Sequence, residues 1–267
     1  MSMSKPFPHE DPRLLAYLEK YRSGKLLSLL TAYDYQMATL LVEAGVDALL
    51  VGDSLGMVVQ GNDTTIPVTV SQMAYHTAAV AKGAGDTLMI ADLPAGSYAT
   101  PEEARQASQE LLEAGAQGVK FEGYFPGLCQ ALVQSGIPVM GHLGLLPQTA
   151  QEFKVQGKAQ QQRDEILAQA KALEKEGAFS LVLECVPESL GKEVTESLGI
   201  PVIGIGAGKY TSGQVLVIND LLGLSRGRKA KFVPLWDSLG DQVVALVKKY
   251  TQGVSERSYP SDKETYH

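Results

Sequence analysis

Residues 100–123, TPEEARQASQELLEAGAQGVKFEG, hold one complete repeat of the chain. Thr100, Pro101 and Glu103 read as an N-cap, a first-turn proline and an acidic first turn, which together open a helix. Ala114-Gly115 stops it, because glycine adopts the left-handed conformation at a helix end without steric cost. GVKFEG at 118–123 is then a short strand pattern, and Lys120 and Glu122, two residues apart, share one of its faces. The same order of helix, glycine stop and strand recurs at Ala44-Gly45 and Glu176-Gly177.

Strand patterns run through the whole chain: 26–32, 47–53, 87–94, 118–123, 137–145, 180–186, 200–208 and 214–220. Helix-like segments at 34–45, 100–114, 162–177 and 187–198 alternate with them. Eight such units in 267 residues (28.6 kDa) predict an α/β fold, a closed (β/α)8 TIM barrel rather than an open doubly wound sheet. One domain spanning 1–267 is expected, with 10–23 as an N-terminal capping helix at the barrel bottom. The last unit is the weakest, since 221–236 shows no clear helix before the amphipathic segment 237–250, and 252–267 reads as a loose C-terminal tail.

Composition narrows the function classes. Lys and Arg number 23 against 30 Asp and Glu, a net charge of −7, which argues against binding nucleic acid or anionic lipid through bulk charge. Cys129 and Cys185 are too few for a disulfide framework or a Cys-rich zinc site, so a reducing, cytoplasmic setting is expected. The opening MSMSKPFPHEDPRLL is too polar for a signal peptide, and no apolar run reaches the ~18 residues of a spanning helix. Small-molecule substrates are the expected partners.

In a barrel of this kind the chemistry sits at the C-terminal ends of the strands. Those ends are acidic: Asp53 closes the second strand, Asp92 the third and Glu122 the fourth, while Glu184 follows Leu181-Val182-Leu183 on the sixth. Carboxylates crowded at one mouth repel, and a hard divalent cation relieves them; oxygen donors with no Cys favour Mg²⁺ or Mn²⁺ over structural Zn²⁺. Any single acid is equally readable as a helix N-cap. His142, on the fifth strand, reads either as a packed barrel residue or as a catalytic one. The GIGAG run at 204–208 suits a phosphate turn or close packing, Cys185 reads as a buried inert thiol facing away from Glu184, and His76 as a packing or capping residue.

The ordered blocks VGDSLGMVVQG (51–61), PVTVSQMAYHTAAV (67–80), ADLP (91–94), VKFEG (119–123), GHLGLLPQ (141–148), KVQGK (154–158), LVLECVP (181–187) and PVIGIGAGKYTSGQVLV (201–217) resemble those of the ketopantoate hydroxymethyltransferase family, over about residues 10–250. That resemblance implies Mg²⁺-dependent transfer of a hydroxymethyl group from 5,10-methylenetetrahydrofolate to 3-methyl-2-oxobutanoate, giving ketopantoate in pantothenate biosynthesis. By resemblance, Asp53 and Asp92 are metal ligands that also touch substrate, and Glu122 is a third metal-associated acid. Ser54 binds the substrate carboxylate, Lys120 is the substrate-binding lysine and His142 lies near the folate side. Glu184 resembles the proton acceptor, and the chemistry agrees: the base must lie near C3 but off the metal. The family also implies a homo-oligomer, commonly a decamer.

The chain departs from the family pattern at Tyr124, where a second Gly is usual after the metal-associated Glu, and at Ala95-Gly96, Leu146 and Gln151-Glu152-Phe153. These changes bear on the shape of the substrate or folate pocket. Two alternatives stand beside this reading. One is another Mg²⁺-dependent 2-oxo-acid enolate enzyme of the phosphoenolpyruvate mutase/isocitrate lyase type, which the absence of a KKCGH-like loop disfavours. The other is a catalytically silent barrel, which the retained acids disfavour.

Overall fold

Parallel pairing carries the chain once around a ring. The computed structural model describes residues 11–150, 152–227, 229–234 and 236–267, so the opening residues 1–10 and Gln151 lie outside it. Among the described residues, eight strands pair in sequence order: β1 (Leu27–Thr31), β2 (Ala48–Val51), β3 (Leu88–Asp92), β4 (Gly118–Lys120), β5 (Val139–Gly144), β6 (Ser180–Glu184), β7 (Val202–Ile205) and β8 (Gly213–Leu216). β8 pairs in parallel with β1 and closes the barrel, as the eight-unit pattern predicts.

Helices α1 (Pro12–Arg22), α2 (Tyr35–Glu43), α3 (Leu55–Val58), α4 (Val70–Ala81), α5 (Pro101–Glu113), α6 (Leu128–Gln134), α7 (Gln160–Lys175) and α8 (Glu188–Ser197) accompany the strands. α5 carries the signals read from 100–123: Thr100 and Glu103 form a reciprocal capping box, and Gly115 follows the last turn with φ 118°. The short α6 was not expected. Its N-cap, Gly127, has no side chain, and the capping acceptor is Glu176, which takes the N–H groups of Gly127 (3.1 Å) and Gln130 (3.4 Å) from 46 or more residues away. Such a cap leaves no local trace in the sequence.

Alternate strand residues fill the barrel. Leu27 and Leu29, Ala48 and Leu50, Leu88 and Ile90, with Met140, Val182, Ile203 and Val215, form one buried apolar cluster. α1 closes it from below. Leu14 and Tyr17 join the cluster, Tyr17 packs edge-on against Phe179 at 6.2 Å, and its hydroxyl lies 3.3 Å from Ser180 Oγ at the start of β6.

A second compact unit spans Val217–His267. The strand expected over 214–220 ends at Leu216, and Ile218–Leu221 is instead a helical turn, α9. α10 (Leu239–Ser255) extends into the segment read as a loose tail, where Ser261 and Glu264 also form a capping box on a 3-10 turn at Asp262–Glu264. No helix among the described residues is long and apolar enough to cross a membrane.

Candidate active site

The barrel face that carries the apolar cluster carries charge one step further along. On β3 the series Leu88, Ile90 ends in Asp92; on β5 Met140 is followed by His142; on β6 Val182 is followed by Glu184; β4 ends in Lys120, with Glu122 just beyond it. Strand alternation alone therefore converges these side chains. Asp53 arrives differently. β2 stops at Val51, short of the expected 47–53, and Gly52 lets the chain pass close to its neighbours: a Cβ there would lie 2.8 Å from Ser54 Oγ and 3.6 Å from Asp92 Oδ2. The turn brings the Asp53 N–H to Asp92 Oδ2 at 3.1 Å. Gly144, with φ 93°, plays the matching part on β5, since a Cβ would sit 2.2 Å from the Glu184 carbonyl oxygen.

The charged groups form a buried chain. Lys120 Nζ lies 3.1 Å from Asp92 Oδ1 and 3.4 Å from His142 Nδ1; that ring nitrogen is 3.5 Å from Glu122 Oε1, while Nε2 is 3.2 Å from Glu184 Oε2. Asp53, Asp92, Lys120, Glu122 and His142 are all buried, and Glu184 is nearly so. Burial raises the carboxyl pKa values of Asp53 and Asp92, and the Asp92 charge adds to the rise at Asp53. Burial works against the Lys120 ammonium, yet Asp92, Glu122 and Asp53 outweigh it and hold the amine charged. At His142, burial and Lys120 oppose protonation, but Glu122 and Glu184 on either side of the ring lift its pKa to about 9. Glu122 is lowered despite burial, by His142, Lys120 and the Gln148 N–H.

Other expectations fall on either side of this cluster. Ser54 lies beside Asp53 and its Oγ is 2.8 Å from the Tyr33 hydroxyl. Tyr124 does not line the cluster: its hydroxyl donates to Glu176 at 2.9 Å, beside a cleft of about 280 Å³ lined by Tyr124, Gln130, Ala172, Lys175 and Glu176. Leu146 packs over Gly123. His76 is a packing residue, with Nδ1 at 2.7 Å from the Tyr33 carbonyl oxygen. Cys185 is half-buried, has φ 49°, and its thiol is pushed up to about 11 by burial and by Glu184.

Among the described residues no three His, Cys, Asp or Glu side chains form a ready-made metal-holding group. Glu122 Oε2 accepts the Gln148 N–H at 2.9 Å while Oε1 faces His142. Asp53 and Asp92 remain adjacent, and buried Asp92 Oδ1 has Lys120 alone against it, at 3.1 Å. An under-compensated pair of carboxylates fits a hard cation whose remaining ligands come from substrate and water. Gln148 and Tyr98 were not singled out in the sequence. Gln148 Nε2 donates to Asp53 Oδ2 at 2.8 Å and to the Leu93 carbonyl at 2.9 Å, and its Oε1 accepts from the Tyr98 hydroxyl. A neutral polar residue in a loop carries no period or charge to mark it.

Comparison with known proteins agrees with the block pattern. The profile described as ketopantoate hydroxymethyltransferase matches residues 13–262. A 3-methyl-2-oxobutanoate hydroxymethyltransferase of Leptospira biflexa is 49% identical over 261 residues, covering 95% of this chain and 97% of its own. One from Escherichia coli is 45% identical over 262 residues, covering 96% and 99%. Among solved structures, 2,3-dimethylmalate lyase, a PEP mutase/isocitrate lyase superfamily member, superposes with a TM-score of 0.64 at 16% identity, covering 95% of this chain and 91% of its own; the likeness is one of fold. The chain belongs to the ketopantoate hydroxymethyltransferase family.

Proposed function

We propose that this barrel transfers a hydroxymethyl group from 5,10-methylenetetrahydrofolate to 3-methyl-2-oxobutanoate, yielding ketopantoate and tetrahydrofolate. The observation that carries the reading is the buried array Asp92–Lys120–His142–Glu184 on the inward face of β3 to β6, with Asp53 hydrogen-bonded to it. Asp53 and Asp92 would hold Mg²⁺, with Glu122 as the third metal-associated acid, held by His142 and Gln148. Bound there, Mg²⁺ offsets negative charge developing at the keto oxygen of the substrate.

The side chains divide the remaining work. Ser54, held by Tyr33, donates to the substrate carboxylate, and Lys120 stays an ammonium that balances the substrate's charge. Glu184, oriented by His142 at 3.2 Å, takes the proton from C3 as the C–H electron pair moves toward the adjacent carbonyl. C3 then bonds to the one-carbon unit of the folate, water supplies the hydroxyl oxygen, and tetrahydrofolate leaves. The departure at Tyr124 leaves this chemistry untouched, because its hydroxyl is spent on Glu176.

Assembly belongs to the same proposal. Val243, Val244, Leu246, Val247, Tyr250 and Val254 on α10 are exposed, which supports a homo-oligomer. The free thiols of Cys129 and Cys185 suit the reducing conditions of the cytoplasm.

The function is tested with purified protein, Mg²⁺ and 3-methyl-2-oxobutanoate in D₂O. Loss of the C3 proton signal, accelerated by tetrahydrofolate, is the expected result; no exchange under either condition overturns the assignment.

A further inference from the structure

Gln148 hydrogen-bonds to the chain just beyond three successive strands. Its Nε2 reaches Asp53 Oδ2 after β2 (2.8 Å) and the Leu93 carbonyl after β3 (2.9 Å), and its backbone N–H reaches Glu122 Oε2 after β4 (2.9 Å). The residue is 5% exposed, and both amide hydrogens and the amide oxygen are engaged. The Asp53 carboxylate and the Leu93 carbonyl fix which way the amide faces, and Tyr98 holds its oxygen end. The NH₂ group must point at these two acceptors, since a flipped amide would set Oε1 against both; the Tyr98 hydroxyl then donates to Oε1. Tyr98 in turn packs against Phe121 and Phe125, each at 5.8 Å, in a cluster of three rings.

Asp53 sits on a turn rather than on a strand, so no strand ladder holds its backbone, and a buried carboxylate there without a partner would be costly. Leu93 directly follows Asp92, so the second Gln148 bond pins the backbone that carries the other carboxylate. We infer that Gln148 is a positioning residue for the Asp53–Asp92 pair. It occupies Asp53 Oδ2 and anchors the turn after β3, with Tyr98 holding its amide oxygen, so that the pair is ordered before a cation arrives. The inference rests on the Mg²⁺ reading of that pair and adds to it the groups that orient the ligands.

The test measures Mn²⁺ binding by the loss of its free-ion EPR signal, using the full chain as wild type, Gln148→Met and Tyr98→Phe. Gln148→Met keeps the volume and the backbone N–H to Glu122 but removes both side-chain donors. Loss of a partner that orients a metal ligand weakens metal affinity about 10–100-fold, which is the change expected for Gln148→Met, with a smaller loss for Tyr98→Phe. Circular dichroism establishes that each variant is folded. Turnover of Gln148→Met should recover toward the wild-type kcat as Mg²⁺ is raised, a rescue that a general packing defect would not show. Mn²⁺ affinity within about two-fold of wild type in a folded Gln148→Met overturns the role; if that variant does not fold, wild-type affinity in Tyr98→Phe overturns it instead. Should the wild type itself take up no Mn²⁺, the metal reading fails and the Gln148 role with it, whereas a loss confined to the variants supports both.

Discussion

The lower and upper halves of the barrel interior are built by the same strands and by the same alternation, yet they carry opposite burdens. Below, Leu88, Ile90, Met140, Val182 and their neighbours make an apolar cluster closed by Tyr17, whose hydroxyl meets Ser180, and Ser180 in turn donates to the Pro201 carbonyl. Above, one inward position further along, Asp92, Lys120, His142 and Glu184 meet in a space almost as dry. The lower half satisfies its few polar atoms and gains from area removed from water. The upper half gathers four carboxylates against one lysine and one histidine, and so spends stability to keep charge poised. Function and core therefore differ here by a single step of two residues along a strand.

That contrast can be broken at neighbouring positions. Glu184→Gln should lower the rate of C3 proton exchange by about 10²–10⁴-fold while leaving the melting temperature near that of wild type. Ile90→Ala, one inward step below Asp92, should do the reverse, costing about 2–5 kcal/mol in urea unfolding with exchange retained in the folded fraction. If Glu184→Gln unfolds the protein, or Ile90→Ala alone removes exchange, the two halves are not separable in this way.

A smaller effect separates them by pH. The His142 pKa stands at about 9 in the fold, above its ordinary 6.5, so the folded protein holds a proton that the unfolded chain releases between those values. Its contribution to stability is complete below about pH 6.5 and is lost as pH rises through about 9. Metal-free wild type should thus lose melting temperature between pH 7 and 10 more steeply than His142→Gln; equal slopes would refute the carboxylate support of the ring. The smallest expected effect belongs to the lower half. Tyr17→Phe removes one buried hydrogen bond but leaves Ser180 its carbonyl acceptor, so about 1 kcal/mol should be lost in denaturant unfolding, with exchange unaltered.

Most of the barrel was legible because each unit states its own boundaries. Thr100, Pro101 and Glu103 start α5, Gly115 ends the helical run, and β1 to β7 lie within the runs read for them, while β8 starts one residue before its run and ends at Leu216. What escaped depends on distant groups. α6 takes its cap from Glu176, and β2 ends early because Gly52 must turn beside Ser54 and Asp92. In the site, Lys120, Glu122, His142 and Glu184 were visible as charged or titratable residues at strand ends. Their sharing of protons and charge was not, nor was the engagement of Glu122 by His142 and Gln148, because these are distances between strands. Gln148 had no such marker and emerges only from its hydrogen bonds.

The two-residue alternation also guards the order of assembly. β4 is short, pairing Ile90 with Gly118 and Asp92 with Lys120 on one side and Lys120 with Met140 on the other. Were it to slip by one position while folding, Val119 and Phe121 would enter the mouth, and Lys120 and Glu122 would be driven outward into the apolar layer beneath the helices. Two charges stranded there without partners cost far more than an exchanged leucine would, so the slipped barrel is heavily penalised. The residues that make the site expensive to keep thus also proofread the closure of the ring.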